Sequence, residues 1–207
     1  MSRPAAGAAV RTRPPALLLA LLLAGSLAGC GQSSAAAIGA PPLCPAGGAD
    51  AGNGVVLMAQ TVPTASWVPC VNTAALPQGW DFYHLDARAG GSRFWLGSAL
   101  DGVKAVEVRL DRSCDVSGAT EIPSDRELMH RFERVRRVSP TYAGERHYVF
   151  RGGCLTEVFR LDGDSPGEAL ALASQAVGVV SRADLRAQVH RDSGGRVELD
   201  PPRGGDG

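Results

Sequence analysis

The chain has 207 residues, of which 44% are hydrophobic and 20% are charged, with 21 basic and 21 acidic side chains. This balance argues against nucleic-acid binding, which usually requires a strongly basic domain, and we expect no nucleic-acid partner. The length fits one domain with tails and is enough to bury a hydrophobic core.

The N-terminal segment has the order of a secretory signal. Arg3, Arg11 and Arg13 precede an apolar run at 16–28 that ends in small residues. This run is shorter than the roughly 20 residues that span a bilayer. The sequence Leu27-Ala28-Gly29-Cys30 resembles the lipobox of bacterial lipoproteins. The resemblance implies cleavage before Cys30, acylation of its thiol, for example with palmitate, and anchoring at the extracytoplasmic face of the cell membrane. An ordinary cleaved signal and a retained helix are the alternatives.

Composition changes along the chain predict four segments. Residues 1–29 are the signal peptide, and 30–53 are a flexible tether because they carry almost no large apolar side chain. Residues 54–197 form a single domain, and 198–207 form a disordered tail. Cleavage after residue 29 removes three of the 21 basic side chains and leaves 18 against 21 acidic ones.

Four cysteines follow Cys30, namely Cys44, Cys70, Cys114 and Cys154. An even number in an exported chain favours disulfides. Of the three possible pairings we expect Cys44–Cys70 and Cys114–Cys154, because neighbours in sequence close the shorter loops. The alternative is a zinc site, but zinc sites usually contain closely spaced cysteine pairs, which are absent from this sequence.

Hydrophobic periodicity predicts the elements before residue 125. Residues 55–62 are apolar on both faces and indicate a buried strand. Residues 66–71 are extended. Strands at 80–86 and 93–97 form a hairpin, and a turn at Asp101-Gly102 leads to a strand at 105–110. Alternation in the last strand indicates a sheet with one buried and one solvated face. Residues 124–127 resemble a capping box that opens a helical turn.

The second half of the chain changes from strand to helix periodicity. Strands are expected at 132–138, 147–150 and 155–161, with a bulge or a close backbone approach at Gly152-Gly153. Ser165 and Pro166 open a helix, whose packing face we assign to Leu172, Ala176, Val179 and Val180. A second helix starts at Ser181, turns Leu185 and Val189 inward, and stops at Gly194-Gly195. The predicted fold class is α+β, with an antiparallel sheet of about five or six strands and a C-terminal helical pair on one face.

The strongest motif for an enzyme is Gly163-Asp164-Ser165-Pro166-Gly167, which matches the nucleophile elbow G-x-S-x-G. In that elbow the residue after the serine donates its backbone N–H to the oxyanion, and Pro166 has none. A helix N-cap also explains Ser165 completely. We therefore assign no catalytic residue.

Metal binding is the second chemical lead. Alternating oxygens at 111–118 resemble a calcium loop, but Val116 and Ile122 occupy the positions where an EF-hand needs Gly and Glu. A polar loop held by Cys114 explains the same residues. His84, His130 and His147 are scattered along the chain. We expect no metal and no cofactor.

Two groups of residues are weak binding candidates. Arg131, Arg134, Arg136 and Arg137 form a basic run that suits anionic headgroups or wall polymers, although a solvated strand face with ion pairs explains it too. The tryptophans Trp67, Trp80 and Trp95 belong to an aromatic-rich segment. Core packing is their default role, and a cleft for sugar or lipid is the alternative.

The segments 66–70, 114–123 and 148–156 resemble those of an uncharacterised family of actinobacterial membrane-associated or secreted proteins, with Arg151 where proline is expected. The resemblance covers roughly residues 55–198 and implies no activity. We therefore expect a non-catalytic, lipid-anchored protein that binds a ligand or a membrane or envelope partner. The alternatives are an extracytoplasmic hydrolase acting on wall or lipid and a structural accessory of a membrane complex.

Overall fold

The computed structural model describes residues 36–45 and 52–199. The predicted signal peptide, Cys30, part of the predicted tether and the tail from residue 200 lie outside these residues. None of the helices in the described ranges has the length and apolar character that crossing a bilayer requires.

The described residues form an α+β fold, as predicted. The helices are α1 (Asn53–Thr61), α2 (Pro166–Ala176) and α3 (Arg182–Asp192). The strands are β1 (Ala36–Ile38), β2 (Trp67–Val71), β3 (Trp80–Arg88), β4 (Gly91–Ser98), β5 (Gly102–Asp111), β6 (Thr120–Ile122), β7 (His130–Arg137), β8 (Tyr142–Phe150), β9 (Gly153–Leu161) and β10 (Val177–Ser181).

Eight strands form one antiparallel sheet in the order β1-β3-β4-β5-β9-β8-β7-β6, and β10 pairs with β2 in a second sheet. The large sheet therefore exceeds the expected five or six strands. Its six central strands coincide with predicted ones, whereas the edge strands β1 and β6 have three residues each. Three residues are too few to establish a period-two pattern, which is why the sequence did not reveal them.

One face of the large sheet carries the hydrophobic core. Phe94, Val108 and Leu155 are fully buried there together with side chains of α1 and α2. The helix α1 packs against β2, β3 and β4, while α2 packs against β9 and α3 against β10. The C-terminal helices thus match the prediction, and we call this face the inner face.

The prediction of a strand at 55–62 was wrong, because this segment forms α1. Its fully buried residues Val55, Met58, Ala59 and Val62 follow the spacing i, i+3, i+4, i+7 of a helix. A short run that is apolar on all sides gives no period, so it does not distinguish a buried strand from a buried helix.

The helical turn expected at 124–127 was wrong, whereas at Gly152-Gly153 the close backbone approach was right and the bulge was not. Residues 124–127 form bends and a turn, in which the Arg126 N–H donates to Ser124 Oγ at 3.1 Å. Gly152 lies in the turn between β8 and β9, so the glycines close a hairpin and form no bulge. A Cβ on Gly152 would collide with the Thr64 carbonyl, and this close approach requires glycine.

The packing face assigned to the first C-terminal helix was wrong in part. Leu172 is 41% exposed, whereas Leu170 and Ala173 face the core. The helix ends at Ala176, and residues 177–181 form β10. The second helix α3 begins after Ser181, and its buried residues include Leu185 and Val189, as predicted.

Both expected disulfides are present, Cys44–Cys70 and Cys114–Cys154. The first ties residues 41–45 to β2, where Cys44 N–H also donates to Val71 O at 3.0 Å. Gly178 of β10 lies opposite Cys70, and a Cβ there would come within 2.5 Å of Cys44 Sγ. Gly178 therefore makes room for the disulfide. Leu199, within the predicted tail, is fully buried.

Candidate functional site

A cavity of about 750 Å³ opens beside the start of β2. Its apolar lining includes Trp67, Leu128, Met129 and Ala183, and we call it the Trp67 groove. Ligand sites commonly have volumes of roughly 300–1,000 Å³ and mainly apolar walls with a few polar groups. The groove therefore has the size and lining of a ligand site.

Backbone hydrogen bonds join three walls of the Trp67 groove. The Ser66 N–H donates to Arg151 O at 3.0 Å, which links β2 to the β8–β9 turn. The Arg182 N–H donates to Ser66 O at 2.8 Å, which links β2 to the start of α3. The Thr64 hydroxyl donates to Gly152 O at 2.6 Å. These walls are preformed, so a ligand would not need to order them.

The Arg182 side chain lies behind the groove and is only 2% exposed. Its Nε donates to Ala65 O at 2.8 Å, and its Nη2 donates to Val62 O at 2.9 Å and to Ala59 O. These carbonyls lie at and just beyond the C-terminal end of α1, where a helix has unpaired carbonyls and a negative partial charge. Arg182 thus attaches the end of α1 to the start of α3.

The fourth wall is the loop at 123–129. Leu128 has φ +60° and is 83% exposed, whereas Met129 is 6% exposed. Arg126 holds this loop against the domain, because its Nη2 donates to Val177 O at 2.7 Å and lies 3.6 Å from Glu157 Oε1. The loop is therefore fixed to the domain through Arg126, and it places the apolar side chain of Leu128 at the groove.

Glu157 is the buried acceptor that Arg126 approaches. Its Oε2 accepts from the Ser174 hydroxyl at 2.8 Å and lies 3.4 Å from Arg146 Nη1. Burial raises the pKa of Glu157, although Arg126 and Arg146 oppose the shift. Burial and the nearby Glu157 also raise the pKa of Tyr148 to about 12, so its hydroxyl stays protonated at neutral pH. This cluster supports the wall from behind and does not line the groove.

The groove is lined by basic residues and by no carboxylate among the described residues. His130 pairs with Glu121 at 3.0 Å, and Arg186 approaches Glu198 at 3.8 Å. Arg151 is exposed, and no carboxylate of the described residues pairs with it. Arg151 therefore brings to the groove a positive charge that no described carboxylate neutralises.

Ser165, the serine of the G-x-S-x-G motif, lies elsewhere. It precedes α2 and borders a cavity of about 420 Å³ that Asp101, Asp162 and Glu168 also line. No histidine or lysine is among the described residues that line this cavity. The described surroundings of Ser165 therefore offer carboxylates but no histidine or lysine to activate it.

The predicted basic run is divided between the two faces of the sheet. Arg131 lies on the inner face and pairs with Glu133 at 3.3 Å. On the outer face Arg134 and Arg136 both bind Glu145, at 2.7 and 2.9 Å. These bonds outweigh the effect of burial and lower the pKa of Glu145. Arg137 is exposed at the end of β7. The four arginines do not form one surface.

The three predicted tryptophans also lie apart, and only Trp67 lines the groove. Trp80 is 7% exposed in the core. Trp95 lies on the outer face, where its ring stacks on His84 with centroids 4.3 Å apart and Lys104 Nζ lies 4.8 Å from its centroid. Trp80 and Trp95 are thus largely covered by their own neighbours.

The polar segment at 111–118 forms a loop, in which Asp115 Oδ1 accepts from the Ser117 N–H at 2.9 Å. The Ser117 hydroxyl and, second, this N–H lower the pKa of Asp115. Ligand atoms of Cys114, Cys154 and His147 lie within 4.8 Å of one another, but both sulfur atoms belong to a disulfide. An oxidised pair offers no thiolate to a metal.

Comparison of the chain with protein-family models, with curated proteins and with solved structures found no match.

Most of the groove leaves no recognisable pattern in the sequence. Leu128 and Met129 stand in a polar loop, and Arg151 stands in a turn, so periodicity gives no signal for any of them. Their one sequence signal is the pair of large apolar residues between Glu127 and His130. The groove exists only because the chain brings four separate segments together.

Proposed function

We propose that this chain is a lipid-anchored protein of the extracytoplasmic face of the cell membrane that binds a ligand or partner in the Trp67 groove without catalysing a reaction. The observation that supports binding is the groove itself, a preformed apolar cavity of about 750 Å³ that Arg151 lines without a carboxylate partner among the described residues. The lipobox-like Leu27-Ala28-Gly29-Cys30 supports the anchor and the location.

Binding is favoured over hydrolysis for a chemical reason. A hydrolase of the elbow type needs a base within hydrogen-bond reach of its serine, and no histidine or lysine lines the cavity beside Ser165 among the described residues. Among the described residues that line the Trp67 groove, no hydrogen bond joins His130 to Ser66 or Ser181. The shape and charge of the walls suit holding a molecule.

The binding part of the proposal is tested by native mass spectrometry of the full-length protein extracted from its own membranes in a mild detergent. We expect a bound mass on the wild type that is lost in Leu128→Gln. Leu100→Gln is the matched control, because Leu100 is also 83% exposed but does not line the groove. Equal bound mass in all three proteins, or none in any, contradicts binding in the groove.

The anchoring part is tested on the same preparation. We expect a diacylglyceryl mass on Cys30, and we expect Cys30→Ser to move the protein from the membrane fraction to the soluble fraction. Thiol alkylation without reduction serves as a second check, because both disulfides should leave no reactive thiol on the mature chain. An unlipidated Cys30 in a membrane-bound wild type contradicts the anchor but leaves groove binding to its own test.

A further inference from the structure

We propose that the occupant of the Trp67 groove is a single lipid molecule with one alkyl or acyl chain and an anionic head. This inference rests on the proposed function and specifies the ligand class of the same site. The chain of the lipid lies along the apolar wall, and the head lies beside Arg151.

The apolar wall argues for a hydrocarbon chain. Leu128 exposes 83% of its surface from a left-handed backbone conformation that leucine rarely adopts. Trp67 and Met129 line the same cavity. Covering these side chains removes apolar surface from water, which stabilises a complex by about 25 cal/mol per Å². Methionine, which is flexible, also adapts to an irregular chain.

The charges argue for an anionic head. The described residues that line the groove include arginines and a histidine but no carboxylate. The acidic partners of His130 and Arg186, Glu121 and Glu198, do not line the cavity. Arg151 is exposed and has no carboxylate partner among the described residues. Its guanidinium can therefore bind a carboxylate or phosphate with two parallel hydrogen bonds.

The size argues for one bound molecule and against adsorption to a membrane surface. A cavity of about 750 Å³ surrounds a chain on several sides, and its walls are fixed by the hydrogen bonds at Ser66 and Arg182. A membrane-binding face would instead present its basic residues together on one surface, and the predicted basic run is divided between the faces of the sheet.

Isothermal titration calorimetry tests the inference on the full-length chain carrying Cys30→Ser, which removes the predicted acylation site. The probes are dodecyl phosphate, laurate, dodecyl maltoside and dodecyltrimethylammonium below their critical micelle concentrations, together with inorganic phosphate and anionic vesicles of phosphatidylglycerol. We expect the two anionic amphiphiles to bind at least about tenfold more tightly than the neutral and cationic ones. Inorganic phosphate should not bind, because it has no hydrocarbon chain.

Paired variants distinguish the binding of the lipid's hydrocarbon chain from the binding of its anionic head. Arg151→Gln should weaken the anionic amphiphiles about tenfold and leave dodecyl maltoside unchanged. Leu128→Gln should weaken all amphiphiles that bind. Arg160→Gln and Leu100→Gln are the matched controls, because Arg160 is exposed at the opposite end of β9 and Leu100 lies outside the groove. Neither control should change any affinity.

Three results overturn the inference. If all amphiphiles bind alike and only Leu128→Gln weakens them, the groove binds ligands but does not select anions. If Arg151→Gln weakens binding to anionic vesicles but not to monomeric dodecyl phosphate, the partner is a membrane surface. If no amphiphile binds although the native bound mass is lost in Leu128→Gln, the ligand class fails while the proposed function survives.

Discussion

The Nη2 atom of Arg182 donates to the Val62 carbonyl oxygen at 2.9 Å, across 120 positions of sequence. The two residues join the end of the first helix to the start of the last one, directly behind the Trp67 groove. A buried guanidinium is tolerated here because α1 ends in carbonyls that have no partner within the helix. The groove therefore lies next to a contact between the N-terminal and C-terminal parts of the domain.

Replacement of Arg182 by methionine should lower the free energy of unfolding by at least about 3 kcal/mol. The change leaves buried carbonyls without donors, and each such loss costs roughly 1–3 kcal/mol. Urea unfolding followed by circular dichroism measures it. Arg186→Met is the control, because the Arg186 side chain is 45% exposed and should contribute less than about 0.5 kcal/mol. Equal free energies of unfolding for the two variants would show that Arg182 does not make this contribution to stability.

Gly178→Ala should destabilise the protein by about 1–3 kcal/mol, as overpacking of a filled site does. A Cβ there would come within 2.5 Å of Cys44 Sγ and 3.2 Å of Cys70 Sγ. Gly167→Ala is the control, because Gly167 lies in α2 with no neighbouring atom within 4 Å of a Cβ. Helix propensity makes that change neutral to stabilising by up to about 1 kcal/mol. Thermal unfolding of both variants tests the difference in sign.

Stability should fall in mild acid through His147. Burial lowers the pKa of its imidazole, with Arg134 acting in the same direction and Glu145 opposing. A lowered folded-state pKa means that the unfolded chain takes up the proton first. The contribution of His147 is therefore complete above about pH 6.5 and is lost as the pH falls through the folded-state pKa.

Urea unfolding at pH 8, 6 and 5 checks this expectation. Uptake of this one proton should change the free energy of unfolding by at most about 1.4 kcal/mol per pH unit. His147→Gln should flatten that part of the profile, whatever its effect on absolute stability. An unchanged slope in the variant would mean that other groups cause the acid sensitivity.

Leu128→Asn should separate stability from binding. Asparagine tolerates a positive φ better than leucine, so we expect the free energy of unfolding to rise by up to about 1 kcal/mol. The same change removes an apolar side chain from the groove and should abolish the bound mass. Leu100→Asn, at an equally exposed leucine, should bring neither effect. Loss of stability in Leu128→Asn would indicate that Leu128 serves packing.

The sequence predicted the parts of the fold that leave a regular pattern. The central strands other than 132–138 have alternation or turn signals, and the disulfide pairing was predicted from sequence neighbourhood together with the expectation of export. The helix α3 begins after Ser181, whose Oγ accepts from the Asp184 N–H at 3.0 Å, the signature of an N-cap. These features depend on interactions between residues close in sequence, or on the lower entropy cost of closing shorter loops.

The remaining features depend on contacts that the sequence does not display. Residues 55–62 form a helix because their apolar side chains meet the core on one side, and residues 177–181 form a strand because β2 offers a partner. The groove needs Trp67, Leu128, Arg151 and Ala183, which lie in four different segments. Of these four residues, only Trp67 was a binding candidate from the sequence, and it was one because it is aromatic.

The most direct test of the account is an experimental structure of the full-length protein purified from its own membranes without removal of lipid. We predict extra density in the Trp67 groove, with an elongated part against Leu128 and a compact part within hydrogen-bond distance of the Arg151 guanidinium. A groove that holds only solvent, or that is filled by another segment of the same chain, would contradict a binding function at this site.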